Sequence, residues 1–147
     1  MKVRLYLPTA EKIIRRKGLG ADGAVQRFHT QNVLRRITKY MPFTTGATIK
    51  LTQNQTVISR PEIVTRAPHA KYIFFGKVMI DPQINAAGFL TSEGWRSRRG
   101  SVKVLTGRNL KYNKSKNHKA GPRWDKTLVA AEGKALTADL QRFIDRR

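Results

Sequence analysis

The chain of 147 residues has no cysteine, so it has no disulfide framework, no thiolate zinc site and no thiol nucleophile. Acidic residues are scarce: nine stand against 30 lysines and arginines, for a formal net charge of +21. No long apolar run is present, because the longest aromatic–aliphatic cluster, residues 72–75, is far too short to span a bilayer. The N-terminus lacks the apolar stretch of a secretory signal. We therefore expect a soluble protein of a reducing compartment.

Positive charge is concentrated between Gly94 and Trp124, where ten lysines and arginines occur without a single carboxylate. Positive charges at this density repel one another unless a negatively charged surface lies against them. The segment therefore predicts contact with a polyanion or an acidic protein surface. An enzyme pocket would need acids or metal ligands among these charges. The candidate contact residues are Arg96, Arg98, Arg99, Lys103, Arg108, Lys111, Lys114, Lys116 and Lys119.

Two helices are predicted before residue 42. Thr9 can cap a short helix that runs to Lys17, with Glu11 near its positive end. Asp22 can cap a longer helix that Pro42 ends, and its apolar residues mostly follow a spacing of three to four. These apolar residues are Val25, Phe28, Val33, Leu34, Ile37 and Met41.

Alternation of apolar and polar residues predicts the strands. Residues 2–7 have the pattern of a half-buried strand, residues 47–59 that of a hairpin, and residues 63–65 that of a further short strand. Residues 67–76 form an aromatic-rich helical turn that would pack on this sheet, with Gly76 as its C-cap.

The remainder is predicted as an arm followed by a helix. Residues 81–121 have little periodicity beyond a short strand at Val102 and Val104, and loops this long are usually functional or ordered by a partner. Pro122 opens the last helix. Its apolar stripe is Trp124, Leu128, Ala131, Ala135, Leu136, Leu140, Phe143 and Ile144. The expected fold is a single α+β domain over residues 1–147, in which a small antiparallel sheet packs against a long N-terminal and a C-terminal helix.

Catalytic motifs are not evident. Residues 18–23 match G-x-G-x-x-G, but a dinucleotide site needs a strand before the first glycine and an acid about 20 residues later. Here the preceding residues have a helical pattern and no carboxylate lies between Asp22 and Glu62, which favours a helix break. The histidines lack metal-ligand spacing: His29, His69 and His118. We expect no catalytic residue, no metal site and no cofactor.

Several segments resemble one protein family. APHAKYIFFGKVMIDP at residues 67–82 and GWRSRRGSVKVLTGRNLKYNKSKNHKAGPRW at residues 94–124, with the helix that follows, are similar to minor capsid proteins of long-tailed phages that infect Gram-positive bacteria. Residues 42–46, PFTTG, resemble the family's P-F-x-T-G turn. The resemblance covers roughly residues 22–144, and it departs from the family at His69, where an aromatic residue is frequent.

The resemblance implies a structural virion protein of the phage neck, in a homo-oligomeric ring that joins the DNA-filled head to the tail. Its partners would be other neck, portal-side and tail proteins, with possible non-specific contact with packaged DNA and none with a membrane. It would be found in the virion, and in the host cytoplasm during assembly. Cyclic rings use heterologous contacts, to which an arm with strand residues is suited because it can add to a neighbour's sheet edge.

Two other classes stay open from the residues alone. An independent nucleic-acid-binding protein, ribosome-like or DNA-binding, would use the same cations on phosphates and could stack bases on Trp95 and Tyr112. Its affinity would fall steeply with salt. An enzyme is the third class, and it would be indicated by divalent-metal-dependent cleavage of DNA.

Overall fold

A computed structural model describes residues 9–20 and 23–147. In chain order its elements are α1 (Ala10–Lys17), α2 (Ala24–Ile37), α3 (Ala47–Gln55), α4 (Ala70–Phe75), β1 (Lys77–Ile80), β2 (Phe89–Thr91), β3 (Gly94–Arg96), β4 (Val104–Asn109) and α5 (Trp124–Asp145). A 3-10 turn, Thr38–Tyr40, extends α2. The mixture confirms the predicted α+β class. The predicted strand at residues 2–7 and the predicted cap at Asp22 lie outside the described residues.

The break between α1 and α2 depends on two glycines. Thr9 caps α1 as predicted, because its hydroxyl oxygen accepts from the backbone N–H of Lys12 at 3.4 Å. Gly18 ends the helix in the left-handed conformation, with φ 67°, which glycine adopts without steric cost. A Cβ at Gly23 would lie 2.3 Å from the carbonyl oxygen of Gly18, so only glycine permits this approach. The G-x-G-x-x-G match is therefore a connection between two helices.

The predicted hairpin at residues 47–59 is wrong, because residues 47–55 form helix α3. The apolar alternation there does not coincide with burial: Ile49 packs on the core, whereas Leu51 is exposed. Thr52 is the buried residue of α3, and its hydroxyl donates to the carbonyl oxygen of Thr48 at 2.8 Å. A threonine that meets its hydrogen-bonding needs within the helix can occupy an interior position that a hydrophobicity pattern assigns to solvent.

The predicted strand at residues 63–65 is also wrong, since this segment is irregular and joins no sheet. Its backbone donors go to side chains at the end of α3. The N–H of Val64 donates to the hydroxyl of Thr56 at 3.1 Å, and the N–H of Arg66 donates to the amide oxygen of Gln55 at 2.6 Å. The backbone donors of this segment are therefore satisfied by side chains and not by a neighbouring strand.

Helices α2 and α5 pack against each other in antiparallel directions around the core. At one end Phe28 stacks on Phe143 with ring centroids 4.2 Å apart. At the other, Phe74 of α4 meets Trp124 edge-on at 4.9 Å. The buried cluster consists of Ile37, Tyr40, Met41, Trp124, Leu128 and Leu136. It contains no strand residue, and most of its members come from α2, the 3-10 turn and α5.

The apolar stripe of α5 is narrower than predicted. Ala131 and Ala135 are exposed, and the helix begins at Trp124, two residues after Pro122. Part of the α5 face that packs against α2 carries acidic residues instead. The Arg36 guanidinium donates to both the Glu132 and the Asp139 carboxylates.

The network around Glu132 adds a polar layer to the α2–α5 contact. The phenol of Tyr40 donates to its carboxylate at 2.7 Å, and the ammonium of Lys39 lies 3.3 Å away. Together with the Arg36 guanidinium, the Tyr40 hydroxyl lowers the pKa of Glu132 to about 2. Folding therefore favours the ionised form of the Glu132 carboxylate.

The strands form two small antiparallel sheets drawn from residues 77–109. β1 pairs with β4, with Ile80 opposite Val104, and β2 pairs with β3, with Phe89 opposite Arg96. Helix α4 leads into β1 through Gly76 in the left-handed conformation, so the predicted C-cap is confirmed. The predicted strand inside the arm is confirmed at Val104, where β4 begins, but Val102 lies outside it. Strand β4 pairs the arm with the rest of the domain.

Candidate interaction surface

A buried carboxylate holds the first part of the arm, residues 81–121, together. Asp81 is buried and receives two hydrogen bonds from the Arg98 guanidinium, at 2.8 and 3.2 Å, and one from the backbone N–H of Gln83 at 3.0 Å. The Arg98 hydrogen bonds are the main cause that lowers the pKa of Asp81. Lys103 adds a second tie, since its ammonium donates to the carbonyl oxygen of Ala87 at 2.5 Å. Arg98 and Lys103, two of the predicted contact residues, thus hold the arm together.

Two further predicted contact residues face the helical part of the same chain. The Lys116 ammonium donates to the carbonyl oxygen of Thr44 at 3.0 Å and lies 5.8 Å from the centre of the Phe43 ring. The Lys119 ammonium lies 5.7 Å from the centre of the Tyr40 ring. Both distances suit a cation–π contact, so these lysines help to fix the end of the arm.

The other five predicted contact residues face solvent. Arg96 makes an exposed ion pair with Glu93 at 3.1 Å. Four cations are exposed and have neither a hydrogen bond nor an ion pair from their side chains within residues 9–20 and 23–147: Arg99, Arg108, Lys111 and Lys114. We call these four the free cations. An external anion can contact them without displacing a partner; Arg96, Lys116 and Lys119 are also exposed, but they already contact groups of the same chain.

The two aromatic residues of the basic segment differ in availability. The Tyr112 hydroxyl donates to the carbonyl oxygen of Ile73, and burial raises the pKa of this phenol. Tyr112 is therefore a packing residue, and its predicted role in base stacking is not supported by its position. Trp95 is 64% exposed and lies over the buried Gly88, where a Cβ would approach its indole nitrogen to 2.7 Å.

The arm also exposes apolar side chains, which the sequence analysis did not single out as a surface. Leu90 and Val102 are 77% and 80% exposed, and Phe89 is exposed beside Leu90 on β2. Two-stranded sheets are marginally stable alone, and here neither sheet covers these side chains. Leu90 and Trp95 are opposite each other across β2 and β3, whereas Phe89 lies on the other face of this pair of strands. We use the name arm patch for these three residues and Val102 together. Exposed apolar groups of this kind commonly mark contacts with other proteins.

A second apolar feature is a groove between α2, α4, α5 and the segment after α3. Its volume is about 680 Å³, and its lining includes Val33, Ile37, Ile63, Phe74, Leu128 and Val129. The Nδ1 atom of His29, also in the lining, is buried and has no hydrogen-bond partner in the described part of the chain. We call this feature the apolar groove. Nothing in the sequence periodicity predicted it, because it forms between segments distant along the chain.

Metal clusters and membrane-spanning helices are both absent from the described residues. Within them, no three histidines, aspartates or glutamates come together in a group that could hold a metal ion. Among the same residues, no helix has the length and apolar character needed to cross a membrane. Searches against protein-family models, curated proteins and solved structures gave no match for the chain. Its function is therefore inferred from the arm patch, the free cations and the groove.

Proposed function

We propose that the protein is a structural subunit of a phage neck that assembles as a homo-oligomeric ring and joins the DNA-filled head to the tail. The observation that carries this proposal is the arm. It is joined to the domain by the β1–β4 ladder and held together by the Asp81–Arg98 pair, yet it exposes apolar and cationic side chains. A segment that is folded but uncovered is suited to contact with neighbours, and the residues of this segment also carry the resemblance to phage minor capsid proteins.

The arm patch supports contact between protein subunits. Tryptophan and other large apolar side chains supply much of the energy of protein interfaces once a partner excludes water from them. A ring forms when each subunit presents one surface to a different surface of the next. The arm patch serves as the first of these surfaces, with the neighbouring subunit's sheet edge or groove as the second.

The free cations support an acidic partner in the assembled neck. A subunit with a net charge of +21 can form a closed ring only if anions lie close to it, because copies of the same charge repel each other. Phosphates of DNA in the channel, or acidic surfaces of adjoining rings, would provide them. Contact with DNA would be through phosphates and not through base edges, so it would carry no sequence preference.

The test is inactivation of the gene in a phage that encodes the chain, followed by electron microscopy of the lysate. We expect DNA-filled heads and unattached tails side by side, and joined particles again when the wild-type protein is supplied from a plasmid. The plasmid rescue controls for effects on neighbouring genes. Intact, infectious particles without the protein would contradict the proposal.

A second function, independent binding of nucleic acid, is favoured specifically by the free cations. Its test is the affinity for a labelled DNA duplex and for RNA over a range of salt concentrations. The matched variant replaces Arg99, Arg108, Lys111 and Lys114 by glutamine, which keeps the anchoring cations in place. Submicromolar affinity at physiological salt that the variant loses would favour this function, since non-specific binding usually has a Kd of about 10⁻⁶ M or weaker. Weak binding by both proteins would favour the connector.

A further inference from the structure

A second concentration of positive charge lies on the two long helices, outside the arm. A pocket of about 460 Å³ is lined by residues of α2 and of the C-terminal end of α5. Its charged lining consists of three arginines and a single carboxylate: Arg35, Arg142, Arg146 and Asp139. We call this feature the arginine pocket. The sequence analysis did not predict it, because its arginines come from helices that are distant along the chain.

The carboxylate of the arginine pocket is already used within the protein. The Arg36 guanidinium donates to Oδ2 of Asp139, and the Arg142 guanidinium donates to Oδ1 at 2.6 Å. Between α2 and α5, the charges of Arg36 and Lys39 stand against those of Glu132 and Asp139, two cations against two anions. Arg142 therefore shares a carboxylate that Arg36 already neutralises, and the pocket arginines are additional positive charge.

The three pocket arginines are exposed and keep N–H donors for an external ligand. Arg35 donates through Nη2 to the amide oxygen of Asn32 at 2.8 Å, and Arg142 is held by Asp139. A guanidinium has five N–H donors, so these contacts fix the two side chains without using all of their donors. Within residues 9–20 and 23–147, the side chain of Arg146 has neither a hydrogen bond nor an ion pair. The pocket can therefore accept an anion without breaking its own contacts.

Positive charge continues from the arginine pocket to the end of α1. Arg147 follows Arg146, and its guanidinium would lie 3.3 Å from a Cβ at Gly18, the residue that ends α1. The acidic residue of α1, Glu11, is in the first turn, at the opposite end of the helix. The last turn carries three further cations: Arg15, Arg16 and Lys17. The basic surface thus extends beyond a single pocket, which favours a long anion over a small one.

We propose that the arginine pocket binds the phosphate backbone of a nucleic acid. A guanidinium pairs with phosphate oxygens in a bidentate geometry. Arg142 and Arg146 are four residues apart on one helix, where Cβ atoms are about 5–6 Å apart, so both can contact one phosphate or two neighbouring ones. Arg35 contacts the same backbone from α2. Each DNA strand carries a charge about every 3.4 Å, and this regular spacing can neutralise an extended basic surface.

The inference deepens the proposed function, on which it rests for the source of the nucleic acid, the packaged DNA. It assigns the DNA contact to the helices and leaves the arm for protein neighbours. The arm joins α5 near its first residue, Trp124. The pocket residues of α5 begin at Asp139 and end at Arg146, roughly 22 to 33 Å farther along the helix at 1.5 Å per residue. The two surfaces can therefore contact different partners at the same time.

The test measures the affinity of the full-length protein for a short labelled DNA duplex over a range of salt concentrations. One variant carries Arg35→Gln, Arg142→Gln and Arg146→Gln. The matched control removes the same charge from the arm through Arg99→Gln, Arg108→Gln and Lys111→Gln. Each phosphate contact contributes about 0.9 to the slope of log K against log salt, so the pocket variant should flatten the slope by about 2.7. The control should stay within about 0.9 of the wild-type slope.

A single substitution keeps the test valid if the triple variant does not fold, which thermal unfolding followed by circular dichroism would show. Arg146→Gln removes a side chain that holds nothing in the described part of the chain. It should flatten the slope by about 0.9, and Arg99→Gln should leave the slope unchanged.

Four results would overturn the inference. Absence of measurable DNA binding by the wild-type protein at low salt is the first. Equal flattening by the pocket variant and the control would show that binding depends only on net charge. Flattening by the control alone would assign the DNA contact to the arm. Binding of poly-glutamate that the pocket variant loses, without binding of DNA, would assign the pocket to an acidic protein.

The inference and the proposed function can fail separately. If the gene is needed to join heads and tails but the pocket variant keeps the wild-type slope, the connector stands and the arginine pocket does not contact DNA. If the pocket variant flattens the slope but particles without the protein remain intact, the pocket binds nucleic acid in some other setting.

Discussion

The α2–α5 pair and the arm use hydrophobic residues in opposite ways. Between the helices, side chains such as Leu128 and Trp124 are buried, and each removes apolar surface from water within the monomer. On the arm, Leu90 and Trp95 remain in water and contribute little to the free energy of folding. The arm is held instead by polar contacts within it, chiefly Asp81 with Arg98, and by the β1–β4 ladder. Burial in the monomer therefore separates residues that stabilise the fold from residues that are free to contact other molecules.

The largest change in the free energy of unfolding is expected when a side chain of the helical core is shortened. Leu128 is 2% exposed, so Leu128→Ala should lower the free energy of unfolding by about 2–5 kcal/mol. Val129, its neighbour, is 66% exposed, and Val129→Ala should change the same quantity by no more than about 0.5 kcal/mol. Urea unfolding followed by circular dichroism measures both. Equal losses from the two variants would contradict the described core.

The second effect concerns the polar layer between the helices. Glu132→Gln removes the charge that Arg36, Lys39 and Tyr40 surround, and should cost about 2 kcal/mol at neutral pH. The pKa of Glu132 falls from 4.5 to about 2 on folding, so its contribution is complete above pH 4.5 and disappears as the pH falls toward 2. The stability difference between wild type and Glu132→Gln should therefore shrink over that range. Glu93→Gln, in an exposed pair, is the control and should show no such change.

The third effect should be confined to the arm. Asp81→Asn removes the carboxylate that holds Arg98, which should loosen residues 81–103 with little effect on the helices. Limited trypsin digestion, with cut sites read by mass spectrometry, should give faster cleavage after Arg99 and Lys103 than in wild type. Amide hydrogen exchange of α5 should stay unchanged. Uniformly faster exchange throughout the chain would mean that the arm and the helices form one cooperative unit.

The smallest effect on stability is expected at the arm patch. Leu90→Asp with Trp95→Ser alters only exposed side chains, so the free energy of unfolding should stay within about 0.5 kcal/mol of wild type. Self-association should nevertheless be lost, and mass photometry of wild type and variant can measure it. An unchanged assembly would exclude the arm patch as a subunit contact.

The sequence predicted the elements whose signals are local. Thr9, Gly18 and Gly76 mark helix ends through the conformations and hydrogen bonds of a few neighbouring residues. Periodicity predicted only part of the burial in the long helices, since Thr30 and Asn32 of α2 are buried and Ala131 and Ala135 of α5 are exposed. Helix α3 was mispredicted because its buried residue is Thr52, a polar side chain. The alternation of apolar and polar residues at 47–51 therefore led to the wrong prediction of a hairpin.

The candidate surface was predicted only in part, since most of its organisation is non-local. The basic segment was evident from charge, but the pairing of Arg98 with Asp81 joins residues 17 positions apart and has no signature in the sequence. The contact of Tyr112 with Ile73 spans 39 positions and could not be foreseen either. Which cations are free and which are structural could therefore be decided only from the fold.

The central claim is that the arm patch joins this subunit to its neighbours in a phage neck. The most direct measurement is electron microscopy of lysates in which a phage lacking the gene is supplied with either wild-type protein or the Leu90→Asp, Trp95→Ser variant. We predict joined particles with wild type, and DNA-filled heads beside unattached tails with the stable but association-deficient variant. Joined, infectious particles with the variant would contradict the claim.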